Sequence, residues 1–248
     1  MPRVAVLLPA LDEERALPLV LSEIPRGSAD LVLVVDNGSR DRTAEVARSG
    51  GARVVHEPRR GYGQACLAGL GALLDGEPGA GRLSAEDVIV FLDADHSDFP
   101  EDLPRVAGPV LSGEADLVVG SRMIDAASRA ALLPQARFGN RLACVLMRIL
   151  FGARHTDLGP FRAIRVDALE HLHMRDPDYG WTVEMQLKAA VAGLRVREVP
   201  VRYRARIGAS KITGTLAGTL GASRKILGWI LGWRIALWLN PGRIPRFR

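Results

Sequence analysis

Cysteine is scarce in this sequence: Cys66 and Cys144 are the only two among 248 residues. Two thiols exclude a disulfide scaffold and a zinc site made of cysteines alone. Glycine (26) and proline (15) are too few for a fibrous or low-complexity chain. Hydrophobic residues make up 48%, enough to build a core, which excludes a wholly disordered chain.

Acidic residues are absent after Glu198, although the chain as a whole carries a net charge of only +5. Three of the four tryptophans, Trp229, Trp233 and Trp238, lie in the same C-terminal stretch. Tryptophan beside arginine is typical of a membrane interface, and a basic body for nucleic-acid binding is missing. We therefore expect contact with anionic lipid or phosphate groups and no nucleic acid.

Long apolar runs are also absent. The most apolar stretch, Ile226–Leu239, contains Arg234 and is shorter than the roughly 20 residues that a membrane span needs. The Met-Pro-Arg-Val start has no apolar leader, so we expect no signal peptide. These features predict a cytoplasmic protein that binds peripherally at the inner face of the membrane.

Apolar segments of strand length alternate with segments of helix length through the first half of the chain. This order predicts an α/β fold: a mostly parallel sheet with helices on both faces. The first helix is expected at Asp12–Ile24, and later helices at Gln135–Phe151, Thr182–Ala192 and residues 212–239. The predicted strands are Val4–Leu8, Leu31–Val35, Arg53–His56, Val88–Leu92, Ala115–Val119, Phe161–Val166 and Arg195–Tyr203.

Polar side chains follow five of these strands, where an open α/β sheet binds its ligands. Asp93 and Asp95 are the clearest signal, since two carboxylates after a buried strand repel one another unless a cation lies between them. Carboxylate oxygens suit Mg²⁺ or Mn²⁺, which also bind substrate phosphates. The five segments are Pro9–Glu14, Asp36–Asp41, Glu57–Gly63, Asp93–Asp98 and Gly120–Arg122.

Several common signatures are missing. There is no phosphate-binding P-loop, and no glycine-rich dinucleotide motif follows the first strand. There is also no Gly-x-Ser-x-Gly nucleophile elbow. These absences argue against a dinucleotide-dependent dehydrogenase and an α/β-hydrolase.

Six segments stand out in this order: Leu8–Glu13, Val34–Asp41, Phe91–Asp95, Gly120–Arg122, Asp157–Arg162 and Arg206–Lys211. Together they resemble family 2 glycosyltransferases of the GT-A fold. The resemblance is to the branch that contains dolichol-phosphate mannosyltransferase and its bacterial polyprenyl-phosphate relatives, and it covers residues 4–211. It implies an inverting transfer of a hexose from a nucleotide-sugar donor, such as UDP-glucose or GDP-mannose, to a lipid phosphate.

The resemblance also implies roles for individual residues. The nucleotide site would comprise Pro9, Asp12, Glu13, Asp36, Ser39, Asp41 and Asp93. The acceptor and phosphate groups would meet Arg137, Arg204, Arg206, Ser210 and Lys211. Asp95, Arg122 and Glu184 would be catalytic, and the metal ligands would be Asp93, Asp95 and Ser97. Ser97 stands where the branch has a glutamine and is a poorer ligand, so His96 or Asp98 could assist.

Alternatives remain open. A hydroxyl acceptor would need a general base, for which Glu184 is the candidate. A nucleotidyltransferase is disfavoured because Pro9–Glu14 lacks the expected glycine-rich basic loop. A catalytically silent membrane adaptor is more remote. We expect a glycosyltransferase domain at 1–211, and a basic helical segment at 212–248 that contacts the membrane or a second copy of the chain.

Overall fold

The computed structural model describes residues 1–75, 82–208, 216–240 and 246–247. Their strands form a seven-stranded sheet with the order β3-β2-β1-β4-β6-β5-β7. The strands are β1 Val4–Ala10, β2 Leu31–Asp36, β3 Arg53–His56, β4 Val88–Phe91, β5 Leu117–Ser121, β6 Arg162–Arg165 and β7 Val196–Pro200. β6 pairs antiparallel with β4 and β5, whereas the other described pairs are parallel.

Helices cover both faces of the sheet and add a third layer at one side. They are α1 Leu17–Glu23, α2 Thr43–Ser49, α3 Tyr62–Asp75, α4 Leu103–Leu111, α5 Ala126–Ala131, α6 Pro134–Phe151, α7 Val166–Leu172, α8 Trp181–Ala192 and α9 Leu216–Leu239. The mostly parallel α/β architecture predicted from the sequence is thereby confirmed.

The alternation of side chains along β1 explains the two-sided core. Ala5 and Leu7 pack under α3, α7 and α8, whereas Val6 and Leu8 pack under α1, α2 and α4. Both faces of the strand are buried, which is why it reads as a continuous apolar run rather than an alternating one. The carboxyl ends of β1, β2 and β4 consequently meet at one edge of the sheet.

The predicted first helix begins five residues later than expected, at Leu17 rather than Asp12. Asp12 has φ of +53°, which a right-handed helix does not allow. Pro18 lies in the first turn, where a missing N–H costs nothing. The acidic residues before it form turns at the sheet edge instead of the helix start.

The C-terminal segment packs on the body of the protein. Ile230 of α9 is buried against Met147 of α6 and Leu187 of α8, and Trp229 stacks on Trp233. Phe247 returns to α8, where its N–H donates to the carbonyl of Ala192. Within the described ranges, no helix combines the length and the apolar character needed to cross a bilayer.

Candidate active site

A cavity of about 670 Å³ opens at the carboxyl edge of the sheet. Its floor is formed by residues that follow β1, β2 and β4, and its walls by the loops before α3 and α8. The residues lining it are Pro9, Ala10, Leu11, Glu13, Asn37, Arg60, Gly61, Tyr62, Ala65, Asp93, Ala94, Asp95, Asp178, Tyr179 and Arg206. The sequence predicted ligand binding at this edge of the sheet, and the structure has a cavity there.

The loops after β1 and β2 are bound to each other by side-chain to backbone hydrogen bonds. The N–H of Asp12 donates to Ser39 Oγ (3.0 Å), and the N–H of Arg40 donates to Asp12 Oδ1 (2.7 Å). Asp41 Oδ2 accepts the N–H of Glu14 at 3.1 Å. Asp12, Ser39 and Asp41 therefore shape the loops behind the cavity, while Pro9 and Glu13 line it.

Asp36 ends β2 as a buried carboxylate. It accepts the N–H of Ser39 (3.0 Å) and lies 3.0 Å from His56 Nδ1. Burial alone would raise the pKa of Asp36, but the bonds from Ser39 and His56 outweigh it and hold the pKa below its usual value. Asp36 is thus ionised and able to accept a further hydrogen bond, although it does not line the cavity.

Asn37 is a site residue to which the sequence analysis gave no role. Its Nδ2 donates to the carbonyls of Glu57 (3.0 Å) and Arg59 (2.7 Å), and its Oδ1 accepts the N–H of Gly61 (2.9 Å). It therefore fixes the loop that carries Arg60 and Tyr62 into the cavity. Its position directly after Asp36, at the end of a strand, was the available signal.

Asp93 and Asp95 both line the cavity beyond β4. Asp93 accepts the hydroxyl of Tyr62 at 3.1 Å. Burial and then the nearby charge of Asp95 raise the pKa of Asp93 to about 7. Asp95 accepts the N–H of Ser97 at 2.9 Å and forms an ion pair with Arg206. Two acids and one arginine thus converge on one spot, with a crowding of negative charge that a cation would relieve.

Ser97 and Asp98 lie beneath this spot. Ser97 is buried and does not line the cavity. Asp98 is also buried, and neither of its carboxylate oxygens has a hydrogen-bond partner among the described residues. Burial, followed by the charge of Asp93, raises the pKa of Asp98 well above its usual value.

The residues fit a divalent ion that is shared with a substrate. Mg²⁺ and Mn²⁺ bind through one or two carboxylates together with phosphate oxygens, and Asp93 and Asp95 supply that number. Among the described residues, no group of three or more histidines, cysteines or acids is arranged to hold a metal by itself. The protein would therefore complete such a site only with an oxygen-rich ligand.

Arg204 and Arg206 lie on one extended stretch but have different surroundings. Arg206 reaches Asp95 in the cavity. Arg204 pairs with Glu23 at 2.5 Å and donates through Nε to the carbonyl of His96 at 2.8 Å, outside the cavity lining. Both arginines are thus paired with acids of the body, whereas the sequence predicted that they would face an anionic partner.

Arg122 is engaged by a buried acid. Its Nε and Nη2 donate to the two oxygens of Asp157, each at 2.8 Å, and its guanidinium lies over the ring of Tyr203. A bidentate pair of this kind fixes the orientation of the arginine. Arg122 does not line the cavity, and neither does Arg137, which is half-buried on α6. Ser210 and Lys211 lie outside the described residues.

Glu184 is fully buried in α8. Its carboxylate accepts the N–H of Arg175 (3.0 Å) and of Asp176 (2.8 Å) and pairs with Lys188 Nζ at 2.6 Å. It does not line the cavity. Three donors already occupy its oxygens, an arrangement that favours a structural role in holding the loop before α8.

The fold and the cavity together define a class: a GT-A glycosyltransferase, with acidic residues after the fourth strand of a mostly parallel sheet. The family model for glycosyl transferase family 2 matches residues 5–172, and the chain belongs to this family. The resemblance seen in the sequence is confirmed, and the protein is a glycosyltransferase.

Three known proteins illustrate the similarity. An uncharacterised glycosyltransferase of Mycobacterium tuberculosis is 38% identical over 222 residues, which cover 88% of this chain and 93% of that protein. Undecaprenyl-phosphate mannosyltransferase of Micrococcus luteus is 32% identical, covering 87% of this chain and 90% of its own. Glucosyl-3-phosphoglycerate synthase of M. tuberculosis, solved with Mn²⁺, UDP and glucosyl-3-phosphoglycerate, is 25% identical, with a TM-score of 0.68 and coverage of 95% and 80%.

Proposed function

We propose that this protein transfers a hexose from a nucleoside diphosphate sugar to a polyprenyl phosphate at the membrane, with inversion at the anomeric carbon. The observation that carries the proposal is the convergence of Asp93, Asp95 and Arg206 on a cavity at the carboxyl edge of the sheet. The name of the M. luteus relative supports a lipid-phosphate acceptor. The neighbour solved with Mn²⁺ and UDP supports a nucleotide-sugar donor.

In the proposed reaction an oxygen of the acceptor phosphate attacks C1 of the sugar. The bond from C1 to the diphosphate oxygen breaks, and the nucleoside diphosphate leaves with the electron pair. A divalent ion held by Asp93 and Asp95 would supply positive charge to the leaving diphosphate. Arg206 would add a second positive charge beside it, and Tyr62 would orient Asp93. Charge stabilisation of this kind often contributes more to catalysis than any other single effect.

The placement of Glu184 favours a phosphate acceptor over a hydroxyl, because this predicted base does not line the cavity. A phosphate monoester is already anionic near pH 7, because its second pKa is about 6. A hydroxyl acceptor would need a carboxylate within hydrogen-bond reach. Glu184 is buried and bonded to Arg175, Asp176 and Lys188, so the geometry gives the hydroxyl alternative less support.

The transfer itself is tested with labelled UDP-glucose and GDP-mannose, polyprenyl phosphate, and Mg²⁺ or Mn²⁺. We expect label in the organic extract with one donor and its loss in Asp95→Ala. Release of free UDP or GDP without organic label would contradict the acceptor while keeping the transferase. If neither donor gives any product, the proposal is contradicted for these donors, and the catalytically silent membrane adaptor becomes the favoured alternative.

We also propose that α6 and α9 rest on an anionic bilayer. Phe138, Leu142, Val145 and Ile149 are exposed at spacings of four, three and four residues, which places them on one face of α6. Phe138 and Ile149 are each 72% exposed. On α9 the exposed apolar residues are Leu231, Ile235, Trp238 and Leu239, and Trp238 is 78% exposed.

Arginines beside these stripes provide charge complementarity to anionic lipid. Arg141 and Arg148 are exposed on α6, three residues from an apolar position, and Arg234 has the same relation to Leu231 on α9. Each cation near an anionic surface contributes about 1 kcal/mol. An apolar face with flanking cations is typical of helices that lie in the interface plane.

Vesicle sedimentation tests this contact. We expect Phe138→Ser with Trp238→Ser to reduce binding to anionic vesicles by about tenfold or more, because two large apolar groups leave the interface. Leu111→Ser, which changes an exposed leucine on α4, is the matched control and should bind like the wild type. Equal losses in both variants would contradict a specific membrane face, and unchanged binding of the double variant would leave a second copy of the chain as the occupant.

A further inference from the structure

The segment between α7 and α8 connects the cavity with the C-terminal helix. We infer that Asp176 is a positioning residue that couples the placement of α9 to the cavity wall formed by Asp178 and Tyr179. The functional consequence of this coupling rests on the proposed function, because α9 carries part of the proposed membrane face. The coupling itself rests only on contacts between described residues.

Asp176 is a buried carboxylate whose two oxygens serve different parts of the molecule. Oδ1 accepts the N–H of Asp178 at 2.7 Å and the N–H of Gly180 at 3.1 Å. Oδ2 accepts Nε1–H of Trp229 at 2.5 Å and lies 3.3 Å from Lys225 Nζ. One oxygen therefore holds the backbone of the cavity wall, and the other holds α9.

Lys225 strengthens the same connection. Its ammonium group lies between Asp176 and Asp178, 3.7 Å from Oδ2 of the latter. Asp178 lines the cavity, so a cation from α9 contacts a cavity carboxylate directly. Charge-assisted bonds are shorter and about twice as strong as neutral ones, which suits them to holding a loop.

The far side of the wall is fixed by the body of the protein. The N–H of Gln64 donates to the carbonyl of Pro177 at 2.7 Å, and Glu184 accepts the N–H of Asp176 at 2.8 Å. Gly63 lies so close that a Cβ there would be 1.9 Å from the carbonyl oxygen of Asp176. The wall is thus held by α3 and α8 on one side and by α9 on the other, so that a change in α9 would act on it through Asp176.

The function of this link follows from where each end lies. Lys225 and Trp229 lie on the N-terminal side of the exposed apolar residues of α9, which begin two residues after Trp229 at Leu231. Contact of those residues with a membrane would hold α9 in place, and Asp176 would pass that restraint to Asp178 and Tyr179. The link would favour the formed cavity when the enzyme is at the surface that holds its acceptor.

Hydrogen exchange of the full chain, without substrate, tests the coupling. We expect Trp229→Phe combined with Lys225→Gln to raise amide exchange in residues 175–180 by about tenfold, because two bonds to a buried charge are lost while the packing volume is nearly kept. Arg224→Gln removes a neighbouring exposed charge from the same helix and should leave the exchange unchanged. Unchanged exchange in the double variant, or an equal rise in the control, would overturn the inference.

Steady-state kinetics then separates the two proposals. If both are right, the double variant should raise KM for polyprenyl phosphate several-fold with kcat nearly unchanged, whereas a general loss of folding would lower active enzyme without this split. A rise in exchange without any transfer to lipid in the wild type would support the coupling and contradict the proposed function. Transfer with an unchanged acceptor KM in the double variant would overturn the role of Asp176 in the reaction.

Discussion

The two ends of strand β4 carry buried or partly buried aspartates with opposite electrostatics. Asp87, before the strand, accepts the N–H of Arg3 (2.7 Å) and of Ser84 (2.8 Å) and pairs with the Arg3 guanidinium. Burial alone would raise the pKa of Asp87, but these bonds lower it below the usual value. For Asp93, after the strand, burial and the nearby charge of Asp95 disfavour the ionised form and raise the pKa to about 7.

The comparison distinguishes carboxylates that are bonded within the fold from carboxylates that are placed to bind a ligand. At the amino end both oxygens of Asp87 accept hydrogen bonds, and Asp116 repeats the pattern with Arg195 at 2.7 Å. At the carboxyl end, Asp93 accepts from the hydroxyl of Tyr62, and neither carboxylate oxygen of Asp98 has a hydrogen-bond partner among the described residues. Perturbed acids that crowd together in a cleft are typical of functional sites.

Removal of the Asp95 carboxylate, at the carboxyl end of β4, should reduce activity more than any other change proposed below. Asp95→Ala should lower kcat/KM by roughly 10²–10³-fold, as loss of a charge-stabilising group does. Asp87→Asn, at the other end of the same strand, should keep kcat/KM of the folded protein within about threefold, because Asp87 is remote from the cavity lining. Similar losses in the two variants, measured as initial rates, would remove the distinction between the ends.

The second prediction is a loss of stability on substitution of Glu184, which the sequence analysis named as the candidate general base. Glu184→Gln should destabilise the protein by about 3 kcal/mol, since it leaves Lys188 buried with one partner fewer. The expected signature is a lower midpoint of urea unfolding with kcat per folded molecule largely kept. A stable variant with kcat reduced more than 100-fold would instead support the hydroxyl-acceptor alternative.

A smaller effect is expected from the close contact between the two cavity walls. Gly63→Ala should cost about 1–3 kcal/mol, because its Cβ would overlap backbone atoms of Asp176 that cannot turn away. Gly71→Ala, in the same helix α3, would meet only Asp75 Oδ2 at 3.8 Å and should stabilise by up to about 1 kcal/mol. Thermal unfolding of the pair measures the difference, and equal values would refute the proposed contact.

The smallest expected effect is the pH dependence of the unfolding free energy that arises from Asp87, at the amino end of β4. Because the pKa of Asp87 is lowered on folding, its stabilisation is present above the unfolded pKa of about 4 and is lost as pH falls through the folded value. Asp87→Asn should therefore flatten the fall in unfolding free energy at pH values below about 4. A variant curve parallel to the wild-type curve would show that Asp87 does not provide this dependence.

The sequence by itself determined the features that depend on neighbouring residues. Continuous apolar strands such as Val4–Ala10 and Val88–Phe91 specify a sheet buried on both faces, and the acids that follow them must then gather at one edge. The sequence therefore predicted the family, the mostly parallel sheet and the place of Asp93 and Asp95. It also predicted helix α6 to within one residue, because its length and apolar pattern are local.

Only the tertiary structure decided which charged residues face the cavity. Arg122, Arg204 and Glu184 look equivalent to Arg206 and Asp95 as isolated letters, but their partners Asp157, Glu23 and Lys188 come from other elements or other turns. Those three pairs lie outside the cavity lining, whereas Asp95 and Arg206 pair with each other within it. For Arg122, Arg204 and Arg206 that outcome depends on distances across the fold between residues far apart in the chain.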